Sequence, residues 1–134
     1  MYGDIMKKTI GEIIEIQNVL QTIKQLPLDF ARFRQLRKLL PVIEAEFVIY
    51  LDKERELLAK YNFKENKFAS KLDETEYIRE IMVIRNEIVE INVEPITIKE
   101  LEMTGISISY NAMEAIKDIV NIAMDGEELE ENQL

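Results

Sequence analysis

The chain has 134 residues, of which 47% are apolar and 32% are charged, and its formal net charge is −9. These values are typical of one helix-rich soluble domain, and the absence of cysteine and histidine excludes disulfides, thiolate chemistry and histidine-based proton transfer or metal binding. No apolar stretch reaches the ~18 residues of a membrane helix, and the N-terminus lacks the apolar region of a signal peptide, so we expect a cytosolic protein.

The charge is distributed unevenly along the chain. Residues 1–71 contain 13 Lys and Arg against 10 Asp and Glu (net +3), whereas residues 72–134 contain 4 against 16 (net −12). This split argues against direct nucleic-acid binding, which needs a broad basic face. It allows a basic helix to pair with an acidic one inside the molecule, or complementary contacts between copies; acidity that only aids solubility is the alternative.

The first predicted helix follows a loose N-terminus over residues 1–8. Thr9 and Glu12 have the spacing of a capping box, and isoleucine, valine and leucine then recur on one side of a helix. Pro27 cannot continue this helix. We therefore predict a helix over about 9–25.

The second predicted helix is the longest and covers about 28–61. Large apolar residues follow alternating steps of three and four, which is the spacing of a helix packed lengthwise on another. This helix-packing seam consists of Phe33, Leu36, Leu40, Ile43, Phe47, Tyr50, Leu57 and Tyr61. Core packing is the expected role of its aromatic members; an aromatic-lined groove that holds a partner helix is the alternative.

Two features of this helix bear on its packing. Pro41 removes one helical hydrogen bond, so we expect a bend or a short break there. A continuous helix of ~34 residues would be roughly 50 Å long, which exceeds the width of a compact domain of this size. We therefore expect part of the helix to contact something beyond its own chain.

A third helix is predicted over about 74–89, after a polar connection from Asn62 to Glu74. Ser70 or Asp73 is its expected cap. Because the connection is short, the second and third helices should lie antiparallel. The register counted back from the turn then places Glu54, the one polar residue in the seam, close to Arg85.

The period changes from 3.6 to 2 in the last part of the chain. Alternating apolar and polar residues predict strands over about 91–98 and 105–108, paired antiparallel, with Pro95 at an edge. Ser107 or Ser109 should cap a last helix over about 110–123. The acidic segment 124–134 should be disordered.

These elements predict a mainly α fold with a small antiparallel β element, of the α+β class. Its parts would be an N-terminal helix, a long antiparallel helical hairpin, a short two-stranded β segment and a C-terminal helix. Residues 9–123 would form one helical domain.

The sequence offers no catalytic, cofactor-binding or metal-binding residues. Asp73, Glu74 and Glu76 lie at a predicted helix start, where acidic side chains interact favourably with the helix dipole. The acidic residues of the tail lack the ligand pattern and turn glycine of a calcium loop. The four glycines are isolated, so no phosphate-binding glycine loop is present. We predict that the protein is not an enzyme and uses no cofactor.

A basic run in the second helix is the candidate partner-contact site. It consists of Arg32, Arg34, Arg37 and Lys38. Three of these side chains share much of one helical face, where a phosphate or an acidic partner could bind. The alternatives are pairing with the acidic half of this chain and exposure to water.

The order of these segments resembles a known family. The segments "QLPLDFARFRQLRKLLPVIEAEFVIYLDKERELLAKY", "EIVEINVEPITIKEL" and "ISISYNAMEAIKDIV" are similar to those of an uncharacterised family of small helical proteins encoded by tailed bacteriophages and prophages of Gram-positive bacteria. The resemblance covers roughly residues 9–123 and carries no catalytic or binding residues.

The resemblance implies a protein of the bacterial host cytoplasm that acts through protein–protein contacts. Its expected partners are other copies of itself, in a homo-oligomer used for virion assembly or an accessory role, or a phage or host protein. The alternative is an inhibitor of a host defence or nucleic-acid-processing system, which would bind a basic site on its target.

Overall fold

The structure is a computed structural model that describes residues 4–103 and 105–123. It is mainly α with a small β component, as predicted. In chain order the elements are β1 (Asp4–Thr9), α1 (Ile10–Ile23), α2 (Phe30–Lys60), β2 (Phe63–Lys64), β3 (Lys67–Phe68), α3 (Lys71–Arg85), β4 (Ile88–Val93), β5 (Ile96–Lys99), a 3₁₀ helix (Glu100–Met103), α4 (Tyr110–Ile116) and β6 (Val120–Ala123).

The N-terminal segment is a strand over most of the length predicted to be loose. β1 pairs antiparallel with β4 in a register that places Asp4 opposite Val93 and Thr9 opposite Ile88. Lys8 is buried on the inner side of β1, and the paired residues of β1 and β4 lie 79 to 89 positions apart in the sequence. The prediction of a loose segment was therefore wrong for residues 4–8, and residues 1–3 lie outside the described part.

The capping box at the start of α1 is confirmed. The Thr9 hydroxyl accepts a hydrogen bond from the Glu12 backbone N–H at 3.1 Å, and the Thr9 backbone N–H donates to Glu12 Oε1 at 2.9 Å. Reciprocal bonds of this kind satisfy two backbone donors that the first helical turn leaves unpaired. They explain why α1 begins directly where β1 ends.

Helix α2 runs without interruption for 31 residues and contains Pro41. Of the bend or short break predicted at this proline, the break is absent. The neighbouring Leu39, Leu40 and Ile43 are buried, and their burial offsets the hydrogen bond that the proline cannot donate. Asp29 caps the helix, because its carboxylate accepts a hydrogen bond from the Arg32 backbone N–H at 3.0 Å.

The connection between α2 and α3 is a small β-hairpin, which the sequence analysis did not predict. β2 and β3 pair through a two-residue turn in which Glu65 and Asn66 both have positive φ, 51° and 64°. Two left-handed residues match the twist of a tight hairpin. The Ser70 hydroxyl accepts from the Asp73 backbone N–H at 3.1 Å, so α3 begins at Lys71 and not at about 74.

α2 and α3 form the predicted antiparallel hairpin. Contacts join Lys60 to Glu80 near the turn and Tyr50 to Arg85 further away, so positions rise along one helix as they fall along the other. The C-terminal end of α3 was predicted too late. The chain leaves the helix at Arg85, and Ile88 and Val89 belong to β4.

The predicted antiparallel pair of 91–98 with 105–108 was wrong. β4 pairs with β1, while β5 pairs parallel with β6, with Ile96 opposite Val120 and Ile98 opposite Ile122. The last helix was also predicted too long, since α4 ends at Ile116. Apolar residues at 116, 119 and 120 suit one helical face, but the pairing with β5 draws Val120–Ala123 into a strand.

Two apolar clusters hold these elements together. The larger joins α1, the first half of α2, β4, β5, α4 and β6, and the smaller joins Ile10, Tyr50, Leu57 and Ile81 between α1, α2 and α3. Phe47 and Val89 pack against both clusters.

The predicted acidic disordered tail, 124–134, lies outside the described residues. None of the described helices combines the length and the apolar character needed to cross a membrane.

Candidate contact surface on helix α2

The predicted basic contact site is divided between the interior and the surface. Arg32 is only 1% exposed, so its assignment as a partner-contact residue was wrong. Its Nε donates a hydrogen bond to the Thr97 carbonyl at 3.2 Å, and its Nη1 lies 3.4 Å from Asp29 Oδ2. Arg32 shares the inward side of α2 with Leu36 and joins the start of this helix to β5.

The other three basic residues, Arg34, Arg37 and Lys38, are exposed. Within the part of the chain that the structure describes, none of them lies within ion-pair distance of a carboxylate. Within the described residues, these three side chains therefore do not pair with the acidic half of their own chain. Three positive charges on one stretch of helix thus have no carboxylate partner among residues 4–103 and 105–123.

The predicted packing seam is mostly internal. Leu36, Leu40, Ile43, Tyr50 and Leu57 are buried. Phe47 and Tyr61 are partly buried and pack against the core. Phe33 differs from the rest, because half of its surface (50%) is exposed.

Phe33 lines a groove between α2 and the connection from α1. The groove has a cavity volume of about 530 Å³. Its walls include Leu28, Phe33 and Leu40, while Arg37 and Glu44 stand on either side of Pro41. Helical spacing within α2 does not predict this groove, because its second wall comes from the irregular segment after α1.

The groove forms part of a longer feature that we name the outer stripe of α2. Its members recur at steps of three and four on the side of α2 next to the seam: Phe30, Phe33, Arg37, Pro41, Glu44, Val48 and Leu51. Phe30 is 76% exposed and Val48 53%. Leu51, at the other end of the stripe, is partly buried and packs against the smaller cluster. Exposed aromatic and aliphatic side chains beside charges that form no ion pair among the described residues are typical of a protein-contact surface. The spacing that predicted one seam also contained this second one, which the sequence analysis missed.

The predicted contact between Glu54 and Arg85 is confirmed. Arg85 Nη2 lies 3.9 Å from Glu54 Oε2, and the Tyr50 hydroxyl lies between the two helices and contacts both residues. It donates to Glu54 Oε2 at 2.8 Å and accepts from Arg85 Nη2 at 2.8 Å. Burial raises the pKa of Tyr50 to about 12, so this phenol keeps its proton, and with it the bridge between the helices, into the alkaline range.

A second polar cluster joins the helices near the hairpin turn. The Tyr61 hydroxyl donates to Glu80 Oε2, and Lys60 Nζ lies 3.1 Å from the same oxygen. The hydrogen bonds from Tyr61 and Lys60 hold the pKa of Glu80 below its usual value. The shifted pKa values of Tyr50 and Glu80 are therefore explained by the contacts between α2 and α3.

Two carboxylates near the start of α3 form ion pairs with basic residues of the same helix. Glu74 pairs with Lys71 at 2.8 Å, and Glu76 pairs with Arg79. Among residues 4–103 and 105–123, no group of three His, Cys, Asp or Glu side chains is arranged to hold a metal ion.

A second groove lies between α2 and the segment from α3 to β4. Its cavity volume is about 400 Å³, and Ile49, Ile84 and Val89 line its floor. Its remaining charged lining consists of Glu46, Asp52, Glu56, Glu87 and Lys53. Four carboxylates against one ammonium make this an acidic groove, although Glu56 pairs with Lys53 at 2.9 Å and Asp52 with Arg55 at 3.2 Å. Glu46 and Glu87 therefore carry its acidic character toward a partner. The groove could not be predicted from local spacing, because its residues come from separate elements.

No protein-family model, no curated protein and no solved structure matches this chain.

Proposed function

We propose that this chain is a small, non-enzymatic, phage- or prophage-encoded protein that acts by protein–protein contact and self-associates through the outer stripe of α2. Its setting would be the cytoplasm of the bacterial host, in virion assembly or an accessory role. The observation that carries the proposal is the outer stripe, where Phe30, Phe33 and Val48 are each at least half exposed on one 31-residue helix.

Physical considerations support a contact role for this surface. Aromatic and arginine side chains dominate the energetics of protein interfaces, and the stripe offers two phenylalanines beside Arg37. A helix is a rigid platform, so little conformational entropy is lost when such a surface is covered. The stripe also carries Glu44 beside these positive charges, so each copy offers an acidic group to the basic residues of the other.

The first experiment removes one charge of the outer stripe, Arg37, and one charge beside it, Arg34. We expect the double variant Arg34→Ala and Arg37→Ala to weaken self-association by about 3–10-fold and to reduce its salt dependence, because each exposed charge contributes up to ~1 kcal/mol that salt screens. Size-exclusion chromatography with light scattering, over a range of concentrations and salt, measures both effects.

The matched control is the double variant Lys64→Ala and Lys67→Ala. It removes the same charge from exposed positions of the β2–β3 hairpin and should associate as the unaltered chain does. A clean monomer of the unaltered chain at tens of micromolar would contradict self-association.

The acidic groove favours a second candidate function, the inhibition of a host defence or nucleic-acid-processing system. A groove with four carboxylates around an apolar floor suits a basic site on a target. The test is recovery of host proteins on the immobilised chain and on the variant Glu46→Gln with Glu87→Gln. A stoichiometric host partner that this variant loses, and that Glu65→Gln with Glu94→Gln keeps, supports inhibition; recovery of virion components alone contradicts it.

A further inference from the structure

We propose that the outer stripe of α2 is covered by the same stripe of a second copy, antiparallel, about a two-fold axis between Leu40 and Pro41. In this arrangement Arg37 of each copy lies opposite Glu44 of the other. The inference rests on the proposed self-association and specifies its geometry.

Two copies of the stripe bring opposite charges together when their α2 helices run antiparallel, but not when they run parallel in register. Arg37 and Glu44 are seven residues apart, which is about two helical turns and 10.5 Å, so they cannot pair within one helix. Neither side chain lies within ion-pair distance of an opposite charge among the described residues. Two antiparallel copies form two equivalent Arg37–Glu44 pairs, whereas two parallel copies in register place like charges together.

The same register also matches the apolar residues. The midpoint of Phe33 and Val48 along the helix is the same as that of Arg37 and Glu44, so Phe33 of one copy lies opposite Val48 of the other. Phe30 and the partly buried Leu51 have the same midpoint and also lie opposite each other. The contact would extend over about 32 Å of helix from Phe30 to Leu51 and would cover the exposed aromatic side chains. The groove beside Phe33, with its cavity of about 530 Å³, leaves room for the valine.

The backbone at the axis permits close approach. Pro41 and Ala45 are exposed, and both have short side chains that let two helices lie near each other. A second antiparallel register would place Glu44 opposite Arg55. It is less favourable, because Arg55 already pairs with Asp52 at 3.2 Å and because Phe30 and Phe33 would stay uncovered.

The decisive experiment exchanges the two charges. Arg37→Glu alone and Glu44→Arg alone should each dissociate at least tenfold more readily than the unaltered chain, because each homodimer then contains two like-charge contacts. An equimolar mixture of the two variants should form a heterodimer, since every contact again joins opposite charges. Native mass spectrometry distinguishes the two chains by mass, and recovery in the mixture shows that both variants are folded.

The outcomes separate this register from the proposed function. If the unaltered chain dimerises but the mixture stays monomeric, or if the single variants dimerise normally, the register is overturned and self-association stands. If the unaltered chain is a monomer, both are overturned. Lys64→Glu makes the same charge change at the distant hairpin and should leave the dimer unchanged.

A cross-linking measurement tests the direction of the helices. The chain has no cysteine, so a single introduced cysteine reports one distance. Pro41→Cys, next to the axis, should form a disulfide-linked dimer under mild oxidation. Val48→Cys should not, because the two copies of position 48 lie about 22 Å apart along the helices. Efficient cross-linking through Val48→Cys would overturn the antiparallel arrangement.

Discussion

Tyr50 is one of the side chains that join the two long helices, because its hydroxyl contacts Glu54 on its own helix and Arg85 on the other. The ring also lies 5.6 Å from the Arg85 guanidinium carbon, within the range of a cation–π contact. The phenol is 3% exposed, and burial disfavours its ionised form. One residue therefore provides apolar packing, a hydrogen-bonded bridge and a dependence of stability on alkaline pH.

The alkaline dependence yields a prediction. An unfolded tyrosine ionises near 10.0, whereas the pKa of folded Tyr50 is about 12. The contribution of this shift to stability is complete below pH 10.0 and is lost as the pH rises toward 12, because the unfolded state releases its proton first. We expect Tyr50→Phe to remove this part of the pH dependence, on the order of 1–3 kcal/mol in the free energy of unfolding.

Urea unfolding at a series of pH values from neutral to about 12 measures this effect. Tyr110→Phe, at a site that is 76% exposed, is the control and should keep the pH dependence of the unaltered chain. Equal slopes for Tyr50→Phe and the unaltered chain would refute the assignment.

Helix α2 is the element on which the rest of the molecule depends, and Pro41 is its one local defect. The proline leaves the carbonyl of Arg37 without its helical donor, yet the helix continues for 31 residues because both clusters bury its inner side. A defect of this kind on an exposed side of a helix costs stability without disturbing the core.

The cost of Pro41 can be measured. We expect Pro41→Ala to raise the free energy of unfolding by about 1–3 kcal/mol, because alanine restores the missing backbone hydrogen bond and favours the helix. Thermal or urea unfolding at concentrations low enough to keep the chain monomeric provides the test. Pro95→Ala is the control, since Pro95 lies between β4 and β5 and has no helical bond to restore. A lower stability of Pro41→Ala would show that the ring makes a contact that compensates for the lost bond.

At the scale of the whole molecule, contacts join the first described strand to the last helix. Lys8 on β1 is 4% exposed, and its Nζ donates to the Ala115 carbonyl at 3.1 Å and to Asp118 Oδ2 at 3.3 Å. Ala115 lies in the last turn of α4, where carbonyls lack helical partners and a positive charge is favourable. This buried lysine therefore connects the N-terminal strand to the C-terminal helix.

Replacement of Lys8 should weaken this connection. We expect Lys8→Met to lower the free energy of unfolding by about 1–3 kcal/mol, because methionine keeps most of the packing and leaves a buried carbonyl without its donor. Lys7→Met is a close control, since Lys7 points outward from the same strand opposite Glu90 and should cost about 0.5 kcal/mol or less. Equal losses for the two variants, in urea unfolding, would contradict the role of Lys8.

Local spacing was sufficient to predict the features that depend on near neighbours. The capping box of Thr9 and Glu12, the long α2, the antiparallel hairpin and the contact between Glu54 and Arg85 all follow from the helical period and a short connection. The inward position of most of the seam has the same origin. The sequence alone thus determined the number and order of the four described α-helices and how the two longest ones face each other, whereas the ends of α3 and α4 depended on the strands that follow them.

Only the tertiary structure decided which strands pair and which charges are buried. β1 pairs with β4 across 79 to 89 positions of the sequence, and β5 pairs with β6 across 24. Short alternating segments carry no information about a distant partner strand. The same packing buries Arg32 and Lys8 and leaves the outer stripe of α2 exposed. The physical reason is that the helical period depends on neighbours three or four residues apart, whereas burial depends on every element that packs against a residue.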